Sequence, residues 1–156
     1  YVMLSPNPED DVNAYMENWA RRSGLLKVSP DAMRIGWDFP FAPPEMTTRF
    51  GIHGYVAAYI LSEGFETDCP GVEYAVQKEA DYAVITIYHP FMAVDRIRGG
   101  YKKIMDFLAA NGFCEEPKEN VLSCFEHVYE KGNVTCMDVY IHVNSVSKTN
   151  SFTNFS

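Results

Sequence analysis

Among the 156 residues of this chain, Glu126 has the residue type and the position that best suit a catalytic or ligand-binding role. It lies in the segment CFEHVY, which is dense in β-forming residues and predicts a substantially buried strand. A buried carboxylate is costly unless it is paired or hydrogen-bonded, so Glu126 would act as a general acid or base or would bind a cationic ligand. The alternative is an exposed strand glutamate that faces a Lys or Arg across a hairpin, and the strand pattern leaves both open.

Aromatic side chains are the second candidate feature, because 10 Tyr, 10 Phe and 2 Trp make up 14% of the chain. Several lie on predicted strands at period-two spacing: Trp37, Phe39, Tyr55, Tyr59 and Tyr88. One interpretation is that they line a single wall of a pocket for a flat or hydrophobic ligand. The other is that they fill the core beneath helices. For any single ring the core is the better interpretation, whereas as a set the rings exceed what a small core needs.

Histidine, serine and cysteine patterns indicate no further chemistry. The four histidines show no H-E-x-x-H pattern and no ligand spacing, so neither a metal site nor a cofactor is predicted. No G-x-S-x-G segment marks a serine nucleophile. The four cysteines are spaced 45, 10 and 12 residues apart without a C-x-x-C pair, which indicates reduced thiols and a cytoplasmic protein.

Charge and hydropathy exclude two kinds of partner. The chain has 13 Lys and Arg against 21 Asp and Glu, a net charge of −8, and its basic residues form no stripe. A surface that grips DNA needs a basic patch, so direct DNA binding is not expected. No apolar run approaches the roughly 20 residues of a membrane helix, so no membrane partner is expected either.

The first half of the chain predicts one helix among three strands. Asn7 and Pro8 suit a helix start and Gly24 suits its end. Between them one apolar stripe follows helical spacing: Val12, Tyr15, Met16, Trp19 and Ala20. Strands are predicted at residues 1–4, 33–39 and 53–61, with a loop or short helical turn over 40–51.

The second half repeats this order. A strand is predicted at 81–88, a helix ending at Asn111–Gly112, and a hairpin of strands at 122–129 and 136–143. The helix carries one apolar face: Ile97, Tyr101, Ile104, Met105 and Leu108. A further short strand is predicted at 73–78. Residues 144–156 are polar and without apolar period, which predicts a disordered tail.

The element order is therefore strand, helix, strand, strand in both halves, over about residues 1–61 and 81–143. This order predicts one α+β domain over residues 1–143, a duplicated unit with pseudo-twofold symmetry. Its antiparallel sheet would be backed by two helices, with a central ligand cleft between the halves.

Several spaced segments of the chain resemble the GyrI-like effector-binding domain of AraC-type transcriptional regulators. In the first half they are MRIGWDFPF from Met33, RFG from Arg49 and GYVAAY from Gly54. In the second half they are DYAVITI from Asp81, GYKKIM from Gly100, NGF from Asn111 and FEH from Phe125. The resemblance spans about residues 1–143.

This resemblance implies a cleft that binds hydrophobic, often cationic or aromatic small molecules, with Glu126 as its central glutamate. It implies a bacterial ligand sensor that reaches DNA only through a helix-turn-helix segment absent from this chain. A subset of the family resembles stand-alone hydrolases, so the alternative is an enzyme for reactive aromatic compounds with Glu126 as general acid or base. A protein-interaction module without a small ligand is a third hypothesis.

Overall fold

The computed structural model describes residues 1–114 and 117–144, and the fold is reported for those residues. Six strands and four helices follow in the order β1 (Val2–Ser5), α1 (Pro8–Arg22), α2 (Leu25–Val28), β2 (Arg34–Asp38), α3 (Pro44–Phe50), β3 (His53–Tyr59), β4 (Tyr82–Tyr88), α4 (Val94–Ala110), β5 (Cys124–Lys131) and β6 (Val134–His142). A 3-10 turn at Pro90–Met92 joins β4 to α4. The predicted α+β class is confirmed.

All six strands form one antiparallel sheet in the order β1-β3-β2-β5-β6-β4. The three strands that come first in the chain occupy one half of the sheet, and the last three occupy the other half. β2 and β5 join the halves, and Gly36 lies opposite Glu126 at this seam.

Helices α1 and α4 pack on the same face of the sheet, which we call the helical face. Apolar residues of α1 form one core with Tyr55 and Ala57 of β3. Apolar residues of α4 form a second core with Val139 of β6. Gly36 is paired with Ala57 and with Glu126, and Glu126 is paired with Val139, so all of these residues point to one face. Glu126 therefore lies on the helical face between the two cores.

The predicted helices agree closely with the structure. In α1 the buried residues are Val12, Met16, Trp19 and Ala20, as the stripe predicts. Gly24 follows α1 with a φ of 83°, a left-handed conformation that glycine adopts without steric cost. The expected Asn7 side-chain cap is wrong, because the Asn7 side chain makes no capping hydrogen bond.

Two further expectations are wrong, and a third falls mostly outside the described residues. Residues 73–78 form no strand, and Val76 is almost fully exposed. Met105 is exposed, although the apolar stripe of α4 includes it. Of the predicted tail, Asn144 forms a bridge with Cys114, whereas residues 145–156 lie outside the described residues.

No helix in the described ranges is both long and apolar enough to cross a bilayer.

Candidate functional site

Glu126 lies at the centre of the sheet, where the two halves of the chain meet. Its cross-strand neighbours are Gly36 on β2 and Val139 on β6. The alternative of an exposed glutamate facing a Lys or Arg across the hairpin is therefore wrong. The side chain is half-buried on the helical face, between the core that α1 forms and the core that α4 forms.

Two tyrosine hydroxyls hold the carboxylate, one from each half of the chain. The hydroxyl of Tyr101 on α4 donates a hydrogen bond of 2.6 Å to Oε1 of Glu126. The hydroxyl of Tyr55 on β3 donates a hydrogen bond of 3.2 Å to Oε2. Both carboxylate oxygens thus accept a donor, which fixes the orientation of the group. We call Tyr55, Tyr101 and Glu126 the tyrosine clamp.

Gly36 makes the Tyr55 side of the clamp possible. The Tyr55 ring starts on β3 and crosses β2 to reach Glu126 on β5. A Cβ at residue 36 would lie 2.6 Å from Cε1 and 2.7 Å from the hydroxyl oxygen of Tyr55. Real Cβ atoms do not approach other atoms this closely, so only glycine leaves room for the ring.

Gly100 makes the Tyr101 side possible in a similar way. A Cβ at residue 100 would lie 2.6 Å from Cγ1 of Ile87 on β4. The missing side chain therefore lets α4 approach the sheet closely at that point. The next residue along the helix is Tyr101, whose hydroxyl reaches the seam as a result.

The electrostatics of the clamp keep both tyrosines protonated. Burial raises the pKa of Tyr55 and of Tyr101 far above the ordinary tyrosine value, and the charge and hydrogen bonds of Glu126 raise each further. Both hydroxyls consequently act as donors to Glu126 throughout the neutral range.

Further carboxylates lie close to the clamp. Partial burial raises the pKa of Glu9, on the first turn of α1, and the negative charges of Glu126 and Asp38 raise it further. The four ion pairs among the described residues lie within the helices or their first turns, and none involves these three acids. The region is therefore negative and lacks a cationic partner within the described part of the chain.

An open pocket of about 430 Å³ lies next to the clamp. Tyr55, Glu9 and Asp38 line it, together with Phe39 and His53. A pocket of this size suits a small organic molecule. Its lining combines aromatic rings with two carboxylates, and one of its rings, Tyr55, carries the hydrogen bond to Glu126.

The six residues predicted from the sequence are distributed over both faces of the sheet. Glu126 and Tyr55 are in contact, and Phe39 lines the adjoining pocket. Tyr59 shares the helical face and packs against the α1 core.

Trp37 and Tyr88 lie on the opposite face. Trp37 is paired with Val56, one residue out of step with Tyr55, and Tyr88 follows Ile87, which packs under α4. The expectation of a single aromatic wall is therefore wrong, because the register of β2 against β3 turns their aromatic residues to opposite faces.

Tyr101 is the site residue that the sequence prediction omitted. It appears there only as part of the apolar face of the second helix. A tyrosine on a helix face that packs against a sheet needs a partner for its hydroxyl, and this requirement was the available signal.

No group of three or more His, Cys, Asp or Glu side chains among residues 1–114 and 117–144 is arranged to hold a metal ion. No disulfide joins the four cysteines, which all lie within these ranges. The chemistry that the site offers is thus a fixed carboxylate, two phenol donors and aromatic surface.

The chain matches no family model, no curated protein and no solved structure. The similarity to GyrI-like domains therefore rests on its sequence segments and stays a prediction.

Proposed function

We propose that this chain is a small-molecule sensing domain of a bacterial transcriptional regulator, and that its ligand is a hydrophobic, cationic aromatic compound. The observation that carries this proposal is the tyrosine clamp. It holds a half-buried carboxylate without a cationic partner among the described residues, beside an open pocket of about 430 Å³. A cationic ligand would supply the missing charge.

The lining favours an aromatic cation over a small inorganic one. The face of an aromatic ring attracts a positive charge, and two aromatic residues, Tyr55 and Phe39, line the pocket. Glu9 and Asp38 add negative potential at its rim, which would speed the arrival of a cation. An open pocket also favours a ligand-binding domain over an interaction module whose cleft its own side chains fill.

The strand order supports a duplicated origin for this cleft. From the seam outward the order is β2-β3-β1 in one half and β5-β6-β4 in the other. Each strand thus has a counterpart at the same distance from the seam, as a pseudo-twofold axis between β2 and β5 would require. The cleft would then lie on that axis.

A sensing role requires more than binding. A ligand shifts a regulator only if it binds two states of the protein with different affinity. The clamp offers such a difference, because Tyr101 and Tyr55 bring α4 and β3 to the same carboxylate. A ligand that competes for Glu126 would weaken the hydrogen bonds through which its carboxylate links α4 to β3. DNA binding would fall to an attached helix-turn-helix segment, consistent with the −8 charge.

Glu126→Gln tests the proposal with two probes of the same shape. Benzyltrimethylammonium carries a positive charge, and neopentylbenzene is its neutral carbon analogue. The substitution should weaken the cation by roughly 10- to 100-fold, or about 1.4–2.8 kcal/mol, and leave the neutral probe nearly unchanged. Isothermal titration and thermal shift measure both, since a ligand at 100 times its Kd stabilises by about 2.7 kcal/mol.

Glu130→Gln is the matched control, because Glu130 lies four residues further along β5 and is exposed. It should leave both affinities as they are. Equal weakening of both probes by Glu126→Gln would overturn the electrostatic role of Glu126.

An enzyme is the second candidate, favoured by the 2.6 Å bond between Tyr101 and Glu126. A phenol and a carboxylate this close can pass a proton to or from a bound electrophile. Incubation with reactive aromatic esters or epoxides, followed by mass spectrometry, separates the two. Turnover that Glu126→Gln abolishes would establish the hydrolase, and binding without conversion would establish the sensor.

A further inference from the structure

Strand β4 leaves one edge of the sheet open, and its hydrogen-bonding pattern shows which groups point outward. The amide of Val143 donates to the carbonyl of Asp81, and the amide of His89 donates to the carbonyl of Thr135. The backbone groups of the odd-numbered residues of β4 therefore form the hydrogen bonds to β6. The backbone groups of the even-numbered residues point away from the sheet: Tyr82, Val84, Thr86 and Tyr88.

Apart from Arg96, which donates to the carbonyl of Tyr88 at one end, this edge lacks the devices that normally protect an edge strand. The seven residues YAVITIY contain no charge and no proline, and β4 has only β6 as a neighbour among the described strands. Val84 is 48% exposed and Tyr88 is 56% exposed. The chain that follows adds more exposed apolar surface at Phe91, Met92 and Val94. Such an edge is a template for another strand.

We propose that the β4 edge pairs with the β4 edge of a second copy of this chain, giving a twofold dimer with a continuous twelve-stranded sheet. The sequence of β4 is complementary to itself when two copies run antiparallel about Ile85. Tyr82 then lies opposite Tyr88, and Val84 lies opposite Thr86. Every outward-pointing backbone group meets an outward-pointing group of the other copy, which is the pairing that an isologous contact requires. The Tyr88 carbonyl, which already accepts from Arg96, would accept the Tyr82 amide of the other copy with its second lone pair.

Charges at the two ends of the strand support the same register. The Arg96 guanidinium is held at the carbonyl of Tyr88 by a 2.9 Å hydrogen bond. Asp81 is exposed at the other end of the strand. Neither has an ion-pair partner among the described residues. In the dimer each Asp81 would lie beside Arg96 of the other copy, so two opposite-charge contacts flank the paired strands.

The dimer leaves the tyrosine clamp open. Two strand spacings, about 10 Å, separate β4 from β5 in the sheet order, and the clamp lies on β5 at the seam. The inference therefore stands apart from the proposed function. The dimer can fail while ligand binding persists, and binding can fail while the dimer persists.

Val84→Pro tests the contact, because it removes an outward amide that β6 does not use, and proline is tolerated at edge positions. Leu4→Pro is the matched control. Leu4 lies on β1, the other edge strand, and is 40% exposed. Its backbone amide also points away from the sheet, because the odd-numbered residues of β1 form the hydrogen bonds to β3. Sedimentation velocity over a wide range of protein concentration should give a dimer for the wild type and for Leu4→Pro. Val84→Pro should raise the dissociation constant at least tenfold, or about 1.4 kcal/mol.

Charge reversal gives a second test that leaves the backbone intact. Asp81→Arg and Arg96→Asp should each weaken the dimer, and the double variant should restore it because the contacts reform with the signs exchanged. A wild type that stays monomeric, or a dimer that Leu4→Pro but not Val84→Pro dissociates, would overturn the proposal. So would a dimer that both single charge variants leave intact. If Val84→Pro fails to fold by circular dichroism, the charge variants decide alone.

Discussion

The ring of Tyr55 occupies the space that a side chain at Gly36 would need. Gly36 lies on β2 opposite Glu126 of β5, and the ring of Tyr55, which starts two residues away on β3, lies over it. The absence of a single Cβ therefore allows a residue of one strand to reach a carboxylate two strands away. The tyrosine clamp depends on this arrangement as much as on the carboxylate itself.

Gly36→Ala should destabilise the fold by roughly 1–3 kcal/mol, the usual cost of an added methyl group in a packed site. The new Cβ would lie 2.6 Å from Cε1 of Tyr55, so the ring must move and its hydrogen bond to Glu126 is lost. Urea unfolding monitored by circular dichroism measures the change.

A double-mutant cycle separates this effect from an ordinary strand substitution. In a Tyr55→Leu background the ring is gone, so Gly36→Ala should cost at least about 1 kcal/mol less. In a Tyr55→Phe background the ring remains, and the cost should persist. An equal cost in all three backgrounds would show that the ring is not what the Cβ meets.

Local patterns were sufficient for most of the elements. The apolar stripe of α1 and its flanking Asn7–Pro8 and Gly24 predict that helix within two residues at each end. Alternation predicts β2, apolar residues on both faces predict β3, a run of β-forming residues predicts β4, and the turn at Gly132–Asn133 predicts the β5–β6 hairpin. These features depend on neighbours in the chain, which is the range that periodicity reports.

Register between strands is not a local property, and there the predictions failed. Trp37 and Tyr55 each lie on the expected strand, yet Trp37 is paired with Val56 and Tyr55 with Asp38. One residue of offset sends the two rings to opposite faces. Residues 73–78 are predicted as a short strand, but Tyr74 packs its ring near Trp19 of α1 and the segment does not join the sheet.

Gly99 and Gly100 give a matched pair for the packing of α4. Gly100→Ala should destabilise by roughly 1–3 kcal/mol, because the added Cβ collides with Ile87. Gly99→Ala meets no atom within 4 Å, so it should stabilise by up to about 1 kcal/mol through helix propensity. Thermal unfolding measures both. Effects of the same sign would contradict the close approach of α4 to β4.

Glu9 should lower the stability of the fold and strengthen the binding of a cationic ligand. Its pKa is raised in the folded state, so its ionised form costs stability, and this cost grows as pH rises from the ordinary glutamate pKa to the raised one and is complete above it. Glu9→Gln should therefore raise the melting temperature at pH 7 and low salt, while weakening benzyltrimethylammonium.

Asp10→Asn is the control for Glu9→Gln, since both residues lie in the first turn of α1 and both lose the same helix-dipole interaction. Glu9→Gln should be the more stable of the two, and added salt should shrink the difference by screening. In a Glu126→Gln background the difference should also shrink. If the stability difference between the two variants changes with neither salt nor the Glu126→Gln substitution, the carboxylates of Glu9 and Glu126 do not interact.

The clamp should make the protein sensitive to alkali. The pKa values of Tyr55 and Tyr101 are raised in the folded state, whereas an unfolded tyrosine ionises near pH 10. Their contribution to stability is therefore complete below about pH 10 and is lost as pH rises above it, because the unfolded chain then releases protons that the folded protein keeps. Each tyrosine should lower the unfolding free energy by about 1.4 kcal/mol per pH unit in that range.

Urea unfolding between pH 9 and 11 should give a shallower alkaline slope for Tyr101→Phe than for the wild type, and a shallower one again for Tyr55→Phe with Tyr101→Phe. Equal slopes in all three proteins would mean that neither hydroxyl is held as a donor to Glu126.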